Sequence, residues 1–122
     1  MTYKATNAEL EETLERLRSI MDEKVVLPVN VIYKIIKNKL AIEQAFLPFK
    51  MTRCKIVDRY SDGKGVIKKE DAEAYEKAFA EIMSVSSETV EVRIIGISLS
   101  ELKDKEMPFN MLSAIGFMID DQ

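Results

Sequence analysis

The sequence predicts an α+β domain: a long kinked helix with an antiparallel partner helix, a small antiparallel β-sheet, and short helices toward the two ends. Three observations carry this. From Val29 to about Tyr60 there is neither a Gly nor a turn cluster, while apolar residues keep helical spacing throughout. Thr89-Val90-Glu91-Val92-Arg93-Ile94 alternates polar and apolar, the period of a strand with one buried face. Helix-start signatures stand before the first helix and near residue 98. With 122 residues, 47% hydrophobic and 32% charged, the chain can bury a core without disulfide or metal, so residues 1–122 read as a single domain.

Thr6-Asn7-Ala8-Glu9 opens the first helix, because Thr6 can cap a free backbone N–H while Glu9 reaches back to the cap. Leu10, Leu14, Leu17 and Met21 follow at helical spacing to about residue 22. That stripe is narrow, so the segment 1–23 is expected to be appended to a larger body or to lie in an oligomer contact. Lys24 to Leu27 leans toward β-structure and ends at Pro28, which suits a first helical position.

The second helix carries one apolar line at Ile32, Tyr33, Ile36, Leu40, Leu47, Met51 and Cys54, and another at Ile35, Ile42, Phe46, Phe49 and Ile56. It should therefore contact two elements. Pro48 removes one backbone hydrogen bond at a cost of about 3 kcal/mol, which predicts a kink or two helices meeting. Asp62-Gly63-Lys64-Gly65 makes a turn rather than a phosphate-cradling loop, for which it has too few glycines.

Glu70 and Asp71 start a third helix with acid at its positive end, and Ala72, Tyr75, Ala78, Phe79, Ile82 and Met83 form its expected buried stripe before Ser84-Val85-Ser86-Ser87 breaks it. The strand at Thr89 to Ile94 is expected to continue past Gly96 to Ile97 and to pair with Lys24–Leu27, Val66-Ile67 or Phe117–Ile119. Ser98-Leu99-Ser100-Glu101 repeats the capping pattern and begins a short helical turn. Met107-Pro108 opens a last helix with Phe109, Leu112 and Ile115 inward, stopping at Gly116.

The chain has no His and one Cys. Ser-His and Cys-His nucleophile pairs, an imidazole base and the usual His/Cys zinc sites are thereby excluded. Catalysis by carboxylates alone stays formally open, but acids at helical spacing on charged faces are normally solvated surface. No enzyme activity and no cofactor are expected. Cys54 falls on an apolar line and reads as a small core residue; a lone Cys also fits a reducing cytosol. The first residues lack the apolar region of a secretory signal, and no apolar run approaches the roughly 18 residues that span a bilayer. Lys39 and Glu43, four residues apart within the apolar arc, are expected to pair with each other or across an oligomer interface.

Charge is strongly segmented. Residues 1–30 carry net −2, residues 31–69 carry net +7 and residues 70–122 carry net −8, within a total of −3. Lys34, Lys37 and Asn38 lie opposite Ile32 and Ile36, and Lys50 with Arg53, then Lys55 with Arg59, continue along the helix. In one arrangement this basic helix lies against the acidic third helix and the charges pair at the rim; in the other its face stays open to an anion. The first is favoured, because a nucleic-acid module is usually basic overall and this chain is not. If the face is open, Lys34, Lys37, Asn38, Lys50, Arg53 and Arg59 are the binding residues, with Tyr33 and Tyr60 available for stacking.

Leu27-Pro28-Val29, Tyr33-Lys34 with Lys37-Asn38, Tyr60 with Asp62-Gly63, Val90-Glu91-Val92, Ser98-Leu99-Ser100-Glu101-Leu102 and Phe117-Met118-Ile119-Asp120 follow one another in an order that resembles a group of small uncharacterised proteins encoded by phages and prophages of Firmicutes. The resemblance covers most of the chain beyond residue 24. Those proteins often carry a longer Gly- and Lys-rich insertion after the Tyr, whereas this chain passes almost directly to Val66. No catalytic residues carry over. What the resemblance implies is a phage accessory protein in the host bacterial cytoplasm. In that setting the absence of catalytic residues and the patterned charge lead to the expectation of a non-enzymatic anti-defence inhibitor that binds a host defence protein or a phosphate-bearing signal. The alternative is an assembly or tail-chaperone protein that uses the apolar arc and the seven Met residues. Nucleic acid is a less favoured partner, no membrane contact is expected, and the first two helices could join copies in a homo-oligomer.

Overall fold

The computed structural model describes residues 1–21, 26–61, 65, 67–68, 70–102 and 107–120. In chain order these form β1 (Thr2–Thr6), α1 (Asn7–Met21), α2 (Val29–Tyr60), α3 (Ala72–Ser86), β2 (Thr89–Arg93), a 3-10 turn (Leu99–Leu102), α4 (Phe109–Ile115) and a second 3-10 turn (Gly116–Met118). The α+β class is as the sequence predicts, while the sheet is built differently.

The strand at 89 pairs with the extreme N-terminal segment. β1 and β2 run antiparallel with Thr2 opposite Arg93 and Thr6 opposite Thr89. Val26, Leu27 and Ile67, expected as strand residues, are not in strands; Lys24, Val25 and Val66 lie outside the described residues. β2 ends at Arg93 instead of running through Gly96. Ile97 forms an isolated parallel bridge with Ile119, so pairing with the 117–119 segment holds at one residue. Gly96 permits this: a Cβ there would meet the Asp120 Cβ at 2.8 Å, while Asp120 N–H donates to Ile97 O at 2.8 Å.

α1 starts as its sequence dictates. Thr6 N–H donates to Glu9 Oε1 at 3.0 Å and Glu9 N–H to Thr6 Oγ1 at 3.2 Å, the reciprocal pair of a capping box. These bonds from Thr6 hold the Glu9 carboxyl below its ordinary pKa. Leu10, Leu14, Leu17 and Ile20 are all buried, so α1 belongs to the core and is not appended to it. Met21 is exposed. Buried Asn7 ties the strand-helix junction to the end of α3, donating through Nδ2 to Val85 O at 2.9 Å. Tyr3 bonds Thr13 at 2.9 Å and stacks on Phe117 at 4.5 Å between ring centres, joining β1, α1 and the C-terminal turn.

α2 is one continuous helix of 32 residues through Pro48. Two helices meeting at the proline is therefore not what forms. Pro48 and Gln44, whose carbonyl the proline leaves unserved, are both exposed, so water can take the missing donor's place. Val31, Ile35, Ile42, Phe46, Phe49 and Ile56 face the core with Ala5, Val92, Ile94, Met111, Ala114, Ile115 and Met118. The other apolar line points outward: Tyr33, Ile36, Leu40, Leu47, Met51 and Cys54 are exposed. Ile35, Ile42, Phe49 and Ile56 recur every seventh residue, and so do Tyr33, Leu40, Leu47 and Cys54. Two residues of offset is about 200° of helix rotation, so the two lines occupy opposite faces, not adjacent ones. Cys54 is a surface residue, contrary to its expected place in the core.

α3 begins just after Asp71, where acid is expected at the helix start, and Asp71 also caps it by accepting from Ala74 N–H at 3.2 Å. It continues through Ser86, because Ser84, Ser86 and Ser87 return their hydroxyls to carbonyls three residues back rather than ending the helix. Ala78 is buried, but Tyr75, Phe79 and Met83 are exposed. In α4 the inward residues are Met111, Ala114 and Ile115, while Phe109 and Leu112 face out. Both corrections have one cause: α3 packs chiefly on α2 and α4 chiefly on α1, and each contact covers a narrow stripe that leaves flanking apolar residues in solvent.

Candidate functional site

Three of the seven cations on α2 are held by carboxylates of three other segments. Lys34 Nζ meets Glu101 at 2.7 Å, and Asn30 donates to the same oxygen at 2.9 Å. Glu101 also accepts from Ser98 N–H at 2.8 Å through its second oxygen, the expected cap at residue 98. Lys34, and then the Ser98 N–H, hold the Glu101 carboxyl below its ordinary pKa. Arg53 meets Glu11 of α1 at 2.9 Å and lies over the Phe46 and Phe49 rings at 5.8 and 5.1 Å. Arg59 meets Glu81 of α3 at 3.6 Å, and Tyr60 donates to that same carboxylate at 3.0 Å. Lys39 and Glu43 pair within the helix at 2.9 Å.

The expected binding residues thus separate into three groups. Lys34, Arg53, Arg59 and Tyr60 are engaged within the chain. Asn38 is not on the basic face at all: it is 1% exposed, donates through Nδ2 to Ile95 O at 2.9 Å and accepts Ile95 N–H at 2.7 Å. Its side-chain amide acts as a strand neighbour would, serving both backbone groups of one residue. Lys37, Lys50 and Tyr33 remain outward, with Lys37 above the Tyr33 ring at 5.6 Å.

Lys37 and Lys50 stand on the rim of a groove of about 850 Å³ between α1 and α2. Leu14, Leu40, Ala41, Phe46 and Leu47 supply its apolar lining, and Glu11, Glu15, Arg18, Glu43 and Arg53 complete the rim. Leu40 is 55% and Leu47 48% exposed, large values for apolar side chains in line on one helix. Tyr33, Leu40 and Leu47 present the spacing onto which a second helix packs knobs into holes. Charge segmentation pointed to the basic face of α2, on which Lys37 and Lys50 remain outward beside this groove. Nothing local indicated that the apolar line, rather than the cations, would be the part left open.

Among the described residues no group of three or more His, Cys, Asp or Glu side chains is placed to hold a metal ion. Among the same residues no helix is long and apolar enough to cross a membrane. Comparison with family models, with curated proteins and with solved structures gives no match.

Proposed function

We propose that this chain is a non-enzymatic protein-binding protein, and that its groove between α1 and α2 takes an amphipathic helix of a partner protein. The observation that carries this is the exposed pair Leu40 and Leu47 over an apolar floor, with Lys37 and Lys50 beside it and exposed Tyr33 one heptad before Leu40, outside the groove. A helix bearing apolar residues at heptad spacing and acids on its flanks would cover the line and meet both lysines. A phosphate-bearing small molecule is less well supported, because Lys34, Arg53 and Arg59 already have carboxylate partners within the chain. In the phage setting that the sequence resembles, the partner is a host defence protein that binding inhibits. A phage assembly or tail protein is the second candidate, favoured by the apolar character of the same line.

The test is capture of partners from lysates of an infected bacterial host by the tagged full chain, with mass analysis of what is bound. One host protein is expected, with affinity at least about tenfold lower for Leu40→Lys and Leu47→Lys, which place two charges in the apolar line. Capture of phage structural proteins alone would transfer the role to assembly. A nucleotide released by heat, with no protein retained, would refute protein binding.

A further inference from the structure

A second groove, of about 710 Å³, flanks α2 on its other side and separates Leu47, Pro48 and Met51 from Glu91, Val92 and Arg93 of β2. The strand's hydrogen-bond pattern makes this groove the free edge of the sheet. Ile94 N–H donates to Met1 O at 2.9 Å, and Asn7 N–H donates to Glu88 O at 3.1 Å. Tyr3 stands opposite Val92 and Ala5 opposite Val90. The even-numbered residues of this strand are therefore the ones bonded to β1, and the N–H and C=O of Thr89, Glu91, Arg93 and Ile95 point the other way. Asn38 takes both groups of Ile95. Glu91 and Arg93 have no such cover among the described residues.

We propose that β2 pairs through this edge with β2 of a second copy, antiparallel about a two-fold axis at Val92, to give a continuous four-stranded sheet. Charged side chains on an edge strand ordinarily discourage such pairing. Here their signs alternate, and the symmetry makes use of that. With the axis at Val92, Glu91 faces the partner's Arg93 and Arg93 faces the partner's Glu91, each pair exchanging backbone hydrogen bonds. An axis at Glu91 would oppose two carboxylates, and one at Arg93 two guanidinium groups. Arg93 has no carboxylate partner among the described residues, and Glu91 has only a long contact of 3.9 Å to Lys4 between side chains about two-thirds exposed. The Asn38 amide ends the pairing after Arg93, which fixes the register against sliding. The added strand would also cover Met51, 58% exposed at the groove wall. The contact is isologous and closes at two copies. The two grooves share Ala41, Gln44 and Leu47 along α2, but the strand pairing itself rests on Glu91 and Arg93, which do not line the first groove, so substitutions there test it separately.

Sedimentation and native mass spectrometry of the full chain, from about 1 to 200 µM, should show a concentration-dependent species of twice the 13.9 kDa chain mass. Glu91→Arg and Arg93→Glu should each weaken it about tenfold or more while leaving the circular dichroism unchanged, since both side chains are exposed. Mixing the two variants restores opposite charges in both pairs and should give a mixed dimer, identified by mass. A wild-type chain that stays monomeric, a dimer that survives either reversal, or variants that fail to associate on mixing would overturn the proposal. So would an edge occupied by a strand of another protein in a chain that does not self-associate.

Discussion

Replacing Asn38 removes the one side chain that serves both backbone groups of Ile95. In Asn38→Ala two part-buried neutral hydrogen bonds, at 2.7 and 2.9 Å, are lost. Each is worth about 1 kcal/mol net, and an amide N–H left without a partner costs about 1–3 kcal/mol more. The expected loss is about 3–5 kcal/mol, read as a lower urea midpoint at constant slope and a melting temperature lower by at least about 10 °C. Asn38→Asp separates hydrogen bonding from size. Its carboxylate still accepts Ile95 N–H but faces Ile95 O with no proton to donate, so the folded state raises its pKa. The penalty relative to wild type is then complete above that raised value, and falls as pH drops through it toward the unfolded carboxylate pKa of about 3.9. Protonated, the residue can donate again. A cost below about 0.5 kcal/mol for Asn38→Ala, or an Asp penalty that does not shrink on acidification, would refute the role assigned to this amide.

The Glu101 carboxyl is held below its ordinary pKa by Lys34 first and then by the Ser98 N–H. Its contribution to stability is therefore present in full above the usual carboxylate value of about 4.3, and is lost as pH falls through the lower folded value. In denaturation curves from pH 7 to 2, Glu101→Gln should lack that part of the acid dependence; an unchanged pH profile would show that the Lys34 contact has no energetic weight. Thr6→Ala removes the acceptor of Glu9 N–H and should cost about 1 kcal/mol in the same assay, with fraying of the first turn of α1 visible as faster amide exchange near Glu9.

What could be foreseen depended on how local its cause was. The capping box at Thr6, the Glu101 half of the box at Ser98, the cap at Asp71 and the start of the strand at Thr89 are set by neighbours within a few residues. The segment 2–6 gives no comparable signal: Thr2, Lys4 and Thr6 face out, Ala5 is its one buried residue, and its partner strand begins more than eighty residues later. On α2, two apolar lines of equal period compete for the core, and Asn38 within the winning line makes it look the more polar. That asparagine is intelligible only beside the Ile95 backbone. Segmental charge placed the acids of α3 against the cations of α2, but only Arg59 meets one of them, Glu81, while Lys34 and Arg53 meet Glu101 and Glu11 on two other segments.

The pairing of Thr2–Thr6 with Thr89–Arg93 also sets an order of events in the life of the chain. At a synthesis rate of about 5–20 residues per second, β1 leaves the ribosome on the order of ten seconds before β2 exists. During that interval α1 and α2 can form, since helices need only local contacts. The sheet cannot, and the inward face that β1 and β2 will cover stays wet. Closing so long a loop brings its entropy cost before its reward, which makes strand pairing a late step. β1 thus waits for β2, and the sheet closes over α1 and α2 before α4, made later still, can add its contacts to α1.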